Sequence, residues 1–231
     1  QNVVSKLKER REEIIDVLQW EICKSSLDAA AEFDRTMGFI EGTINEVRLA
    51  SKQSSIWKTI SGIAAKVKRA AIGIMLCLGP FNYPFNETYA TMIPALLMGN
   101  VIILKLPTIG GLAHVLTMEA YASALPPGVV NFISGSGRLT VPPIMKTGDI
   151  DILAFIGGSA SADKIIKDHP HPHRLKKFLQ LEGKNLGIVT PNADLDVAVA
   201  ESVVGTTSYN GQRCTAIKLL MVHESIATKF T

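Results

Sequence analysis

From Ala70 onward the chain repeats one phrase: a short apolar run, a turn bearing glycine or proline, then a longer amphipathic stretch. That repetition restricts the fold more than any other feature. Residues 72–78, 101–105, 129–133, 152–156, 177–181, 187–190 and 216–222 read as strands. Helices are predicted between them, around 87–98, 111–124, 138–146, 161–167 and 195–208. Strands alternating with helices predict an α/β fold with right-handed crossovers and a mainly parallel sheet, whose ligands collect at the carboxyl ends of strands. Upstream, Val4, Leu7, Ile14, Val17 and Leu18, then Leu27, Phe33, Met37, Ile40, Ile44 and Val47, recur at helical spacing and predict two amphipathic helices. Residues 56–60 and 63–67, separated by Ser61-Gly62, read as a hairpin with a tight turn.

Composition excludes several classes. With 231 residues, 47% of them hydrophobic, the chain buries a real core as one or two domains. A net charge of +3, with basic residues spread among acidic ones, offers no phosphate-tracking surface for nucleic acid. The longest apolar run, at 72–78, is far too short to cross a bilayer. Three cysteines without framework spacing predict a reducing compartment, the cytoplasm. The start at Gln1 inside a helical pattern and the end at Thr231 just after a new helix predict a piece of a longer protein.

The unusual residues sit in the turns after the strands. Gly79-Pro80-Phe81-Asn82-Tyr83-Pro84 brackets an asparagine with prolines; it is either an ordinary turn residue or an amide aimed into a cleft. Lys105-Leu106-Pro107-Thr108 ends a strand with a cation, which either holds a phosphate or is simply solvated. Gly157-Gly158-Ser159 leads into a helix whose first N–H groups could face an anion. Ser134-Gly135-Ser136-Gly137 is a weaker signal of that kind. Cys23 and Cys77 read as small buried hydrophobes. Cys214 differs, because Gly211-Gln212-Arg213-Cys214 places a thiol after a glycine turn beside a guanidinium that favours the thiolate. His169-Pro170-His171-Pro172-His173 alternates histidines; the prolines and nearby lysines predict an exposed loop and no metal site.

In this order these motifs resemble the aldehyde dehydrogenase superfamily over essentially the whole chain. Phe81-Asn82-Tyr83-Pro84, Pro94-Ala95-Leu96-Leu97-Met98-Gly99-Asn100 and Gly211-Gln212-Arg213-Cys214-Thr215-Ala216 are most similar to its NADP-dependent non-phosphorylating glyceraldehyde-3-phosphate dehydrogenases. The resemblance implies a dinucleotide-binding domain over residues 1–184, with N-terminal helices at 1–50 and an oligomerisation hairpin at 53–69. The beginning of a second α/β domain, the catalytic one, follows at 185–231. It implies that Cys214 attacks the aldehyde while the Asn82 amide and the Cys214 N–H hold the oxyanion. Cofactor binding is implied for Pro80, Phe81, Lys105, Thr108, Gly157, Gly158 and Ser159. Many NAD-using relatives carry a glutamate where this chain has Thr108, so a neutral hydroxyl beside Lys105 predicts NADP, with NAD as the alternative. Arg48, Tyr83 and Arg213 match the residues thought to hold a substrate phosphate. The hairpin implies a homodimer or homotetramer.

One departure stands against these matches. Most of the superfamily reads Glu-Leu-Gly-Gly-Lys before the catalytic domain, its glutamate being the base for deacylation. Here the sequence is Gln180-Leu181-Glu182-Gly183-Lys184, and an amide takes no proton from water. Glu182 faces the same side as Gln180 if the strand stays regular, roughly 6 to 7 Å along it. It is then a displaced base, or a brace; a deacylation-poor enzyme is the third reading. The expected reaction is NADP-dependent oxidation of glyceraldehyde 3-phosphate to 3-phosphoglycerate. The alternatives are another aldehyde or semialdehyde dehydrogenase and a non-catalytic relative.

Overall fold

The computed structural model describes residues 1–231 and divides into two compact units, Gln1–Gln180 and Leu181–Thr231. The first opens with three helices, α1 (Asn2–Glu9), α2 (Arg11–Ile22) and α3 (Ser26–Ser54), where periodicity predicts two. Hydrophobic spacing runs through the break at Arg10, whose guanidinium turns to the Leu116 carbonyl and Glu13. Cys23 ends α2 in the left-handed region, with φ of 56°, and is exposed. That corrects the expectation of a buried helical cysteine; Cys77 is buried. Strands β1 (Lys58–Ile60) and β2 (Ile63–Ala65) pair antiparallel around Ser61 and Gly62, both at positive φ, which is the turn that hairpin strands require.

The central sheet takes the order β5-β4-β3-β6-β7. Its strands are β3 (Ile74–Leu78), β4 (Val101–Lys105), β5 (Val130–Ile133), β6 (Ile152–Gly157) and β7 (Lys176–Leu181). The β3–β4, β3–β6 and β4–β5 pairings are parallel; Leu76 lies opposite Ile103 on one side and Leu153 on the other. Met75, Leu76, Cys77, Ile102, Leu104, Leu153 and Ala154 are buried, so these strands read as continuous apolar runs. β3 begins two residues later than its apolar run because the Ile72 and Gly73 amides donate to the Asn100 side chain at 2.7 and 3.0 Å. The intervening helices are α4 (Pro84–Leu97), α5 (Leu112–Val115), α6 (Met118–Ala124), α7 (Gly137–Lys146) and α8 (Ser159–Asp168). The helix predicted over 111–124 is split, since the Thr117 hydroxyl takes up the His114 carbonyl at 2.7 Å.

In the second unit, β8 (Asn185–Val189) and β9 (Ile217–Val222) pair in parallel through the crossover helix α9 (Leu195–Thr207), and α10 (Glu224–Phe230) follows. The Asp194 carboxylate caps α9 by accepting from the Val197 N–H at 3.2 Å. No helix is long and apolar enough to cross a membrane.

Candidate functional site

The chain leaves β3 for β4 on one side and returns to β6 on the other, so the order of strands reverses at β3. Such a reversal opens a crevice at the carboxyl ends. A cavity of about 930 Å³ lies there, lined among others by Leu78, Thr108, Ser136, Gly137, Arg138 and Lys164. Lys105, the last residue of β4, is 6% exposed, and burial pulls its ammonium below the usual lysine range. It forms neither a hydrogen bond nor an ion pair with the protein. A side chain at Gly137, the first residue of α7, would come within 4.0 Å of its Nζ, so glycine there leaves the ammonium an open approach. A desolvated cation at a helix N-terminus, without a protein counter-charge, suits an anionic ligand. Gly157 and Gly158 end β6 and enter α8 at Ser159. Any Cβ at Gly157 would meet the Phe155 ring at 2.6 Å, which is why glycine stands there. Thr108 lines this cavity; Arg138 and Lys164, which the motif reading missed, line it too. Their signal was faint, because single cations beside Gly137 and on a helix are common on any surface.

Pro80, Phe81, Asn82 and Tyr83 form the loop that enters α4. The Asn82 Oδ1 accepts from the Tyr83 N–H at 3.1 Å, which fixes one side of the amide. Tyr83 occupies the N-cap of α4, but its side chain does no capping. Its ring carries the Lys24 ammonium, 3.3 Å from the centroid. Lys24 and Glu32 form a fully buried ion pair, and neither was found from sequence. Arg48 lies exposed near the C-terminal end of α3.

In the second unit Cys214 is exposed, at the end of a turn that begins with a 3₁₀ segment, Ser208–Gly211. Tyr209, Asn210 and Gly211 have φ of 51°, 53° and 68°, three left-handed residues in succession. Single left-handed residues are ordinary; a run that includes tyrosine stores strain of the kind that gathers at functional sites. The Arg213 Nη1 donates to the Ser208 Oγ at 3.1 Å. The Asn185 Nδ2 donates to the Cys214 and Ala216 carbonyls at 2.7 and 3.0 Å, tying the Cys214 turn to the start of β8. Gln180 closes the first unit within β7, which ends at Leu181. Glu182 is therefore outside the strand, so the regular alternation needed to put it on the Gln180 face stops short of it.

The histidine segment needs a correction. His169 is 3% exposed, its Nε2 paired with the Ile150 carbonyl at 3.0 Å and its Nδ1 accepting from the His171 N–H at 3.0 Å. His171 and His173 are exposed as expected. Residues bearing proline on either side looked solvated, yet the first histidine is used to close the loop against the sheet.

The family model for the aldehyde dehydrogenase family matches residues 1–231. The chain belongs to the aldehyde dehydrogenase family. It is 37% identical over 224 residues to an NADP-dependent glyceraldehyde-3-phosphate dehydrogenase of Streptococcus equinus, covering 94% of this chain and 46% of that protein. The structure of the NADP-dependent glyceraldehyde-3-phosphate dehydrogenase of Bacillus halodurans C-125 complexed with NADP superposes with a TM-score of 0.88 and 32% identity, over 99% of this chain and 48% of that one. A betaine aldehyde dehydrogenase of Staphylococcus aureus in complex with NAD+ gives 0.89 at 26% identity, over 99% and 46%. This member of the family thus spans about half the length of the relatives it matches.

Proposed function

We propose that the full-length protein oxidises glyceraldehyde 3-phosphate to 3-phosphoglycerate with NADP. In this reading the unit Gln1–Gln180 binds the dinucleotide and the segment from about residue 185 opens the catalytic domain. The observation that carries the cofactor assignment is the buried Lys105 ammonium, which makes no hydrogen bond or ion pair with the protein and lies against Gly137 in the wall of the 930 Å³ cavity. Thr108 in that cavity is neutral and does not repel a 2'-phosphate. Pro80, Phe81, Gly157, Gly158 and Ser159 complete the cradle. The bound nicotinamide would accept a hydride; everything else falls to the chain.

Cys214 Sγ forms the bond to the aldehyde carbon. The Asn82 Nδ2 and the Cys214 N–H stabilise the negative oxygen that results. Once the bound cofactor had taken the hydride, Cys214 would carry a thioester; water adding to its carbonyl would break the C–S bond, releasing the carboxylate and restoring the thiol. Arg48, Tyr83 and Arg213 hold the substrate phosphate. The hairpin, with Ile60 and Ile63 about 70% exposed, serves assembly into a dimer or tetramer. Support for the substrate comes from relatives named for that reaction.

A second reading is favoured by Gln180 and by the end of β7 at Leu181: acylation proceeds, but deacylation lacks a strong base. One experiment separates the two. NADPH formation by the full-length protein is followed before and during steady state, with glyceraldehyde 3-phosphate and with a non-phosphorylated aldehyde. We expect a higher kcat/KM for the phosphorylated substrate and for NADP over NAD. A burst followed by slow turnover selects the second reading, and equal or better use of NAD or of the plain aldehyde sinks the first.

A further inference from the structure

The first turn of an α-helix needs acceptors for its N–H groups, and a serine, threonine, aspartate or asparagine at the N-cap normally provides one. α4 has Tyr83 there instead, with no cap of its own. The missing acceptor comes from 53 residues upstream: Glu32 Oε1 accepts from the Phe85 and Asn86 N–H groups, each at 3.0 Å. Its other oxygen, Oε2, accepts from Lys24 Nζ, and both side chains are wholly buried. The same ammonium sits over the Tyr83 ring, 3.3 Å from its centroid. Phe33, next to Glu32, stacks on Phe85 at 5.5 Å and 6°. A closed circuit results: Tyr83, the helix that starts after it, Glu32, Lys24, and back to the face of Tyr83.

A buried ion pair is a poor source of stability, because desolvating both charges offsets their attraction. Its retention here is better explained by what it fixes. The circuit clamps the one segment where Asn82 and Tyr83 stand side by side, and it makes up for the local rule that Tyr83 breaks.

We propose that Lys24 and Glu32 are positioning residues, which set the Asn82 amide and the Tyr83 ring for oxyanion and substrate without touching either. The proposal rests on the dehydrogenase reading above. Lys24→Met/Glu32→Gln tests it in the full-length protein, since removing both charges spares the fold the unpaired charge that one substitution would leave. Met145→Ala, buried on α7 and on no element of the circuit, is the stability control. We expect the double variant to bind NADP as the wild type does, with an unchanged KM for the cofactor. We expect its kcat to fall about 10- to 100-fold, the usual consequence of misplacing a reacting group by an ångström or less. Amide hydrogen exchange over residues 82–86 should quicken in the double variant and not in Met145→Ala. Wild-type kcat in the double variant overturns the proposal, and so does a kcat that falls while exchange over 82–86 is unchanged. If the wild type oxidises neither aldehyde, the dehydrogenase reading fails, and the exchange comparison alone decides whether the pair holds the loop.

Discussion

The loop entering α4 and the turn carrying Cys214 are built by opposite means. The loop is held by side chains from elsewhere: a buried ion pair, a cap lent by α3 and a cation on an aromatic face, with Tyr83 at a negative φ of −135°. The turn is held by its own backbone, three left-handed residues long, and by side-chain bonds from within the second unit. Among these are Lys218 Nζ to the Gly211 carbonyl at 2.5 Å and Asn185 Nδ2 to the Cys214 carbonyl at 2.7 Å. Cys214 itself is exposed. The difference follows from what each must present. Under the proposed function, Asn82 would be an amide donor, useful only at a fixed point and so anchored in the core, while Cys214 would be a nucleophile that must be reachable, its geometry stored in the strain of an exposed turn.

The largest effect should come from the rigid side. Asn82→Ala removes the donor and leaves the circuit of Lys24, Glu32 and Tyr83 in place, so kcat is expected to fall about 10²- to 10³-fold, as when one oxyanion donor is lost. Alkylation of Cys214 by iodoacetamide should be unaffected, because no oxyanion forms in that reaction. A kcat within a few-fold of wild type would remove Asn82 from the oxyanion site, and a matching loss of alkylation would mean that it acts on the thiol instead.

How far the sequence announces these two regions differs in the same way. The Cys214 turn is legible because its parts are adjacent: glycine, a cation and a thiol within four residues. Asn82 is legible as an oddity between prolines, but its anchorage is not, since Glu32 lies on a different helix and reads there as one more polar position. The mainly parallel sheet and the carboxyl-end location of the cavity follow from the alternation of runs and turns, whereas the strand order does not. The late start of β3, the split between α5 and α6 and the burial of His169 were not visible. Each depends on one side chain taking a backbone group out of regular pairing, which periodicity does not record. The isolation of Lys105 was equally hidden, for a sequence shows a cation but not the absence of its counter-charge.

An intermediate effect is expected from pH, and it should fall on the first unit alone. His114 on α5 is fully buried, stacked on the Tyr89 ring of α4 at 5.8 Å and 7°, and neither ring nitrogen has a hydrogen bond. Burial pushes its pKa down to about 4, the Pro84 backbone opposing this without reaching hydrogen-bonding geometry. Between that value and an unfolded value near 6.5, the unfolded chain binds a proton that the folded one refuses. Stability from this site is therefore complete above pH 6.5. It falls by about 1.4 kcal/mol per pH unit below that, for a total of about 3 kcal/mol by pH 4. Burial raises Glu32, a shift of the opposite sign, so the site is isolated by comparing wild type with His114→Phe. Hydrogen exchange against pH should show acid loosening of α4 and α5 in the wild type, flattened in the variant. The second unit holds no buried histidine and should show none from this cause. Coincident profiles for the two proteins would end the argument.

The smallest effect probes the strain in the turn, and two glycines make the contrast. Gly42 lies within α3 with open space where a Cβ would go, so Gly42→Ala should stabilise by about 0.5–1 kcal/mol through helix propensity and unfolded-state entropy. Gly211 has φ of 68°, and a Cβ there would come within 3.0 Å of the Thr206 carbonyl oxygen. Gly211→Ala should therefore cost about 1–2 kcal/mol, the steric cost of a left-handed residue with a side chain. The loss should appear in denaturant unfolding of the second unit, together with a changed rate of Cys214 alkylation, because relaxing Gly211 moves the turn that presents the thiol. A stability cost without any change in alkylation would show that the left-handed run closes the chain but does not aim Cys214. The thiol's geometry would then have to come from the Asn185 brace, and the turn would be held by a side chain much as the loop entering α4 is.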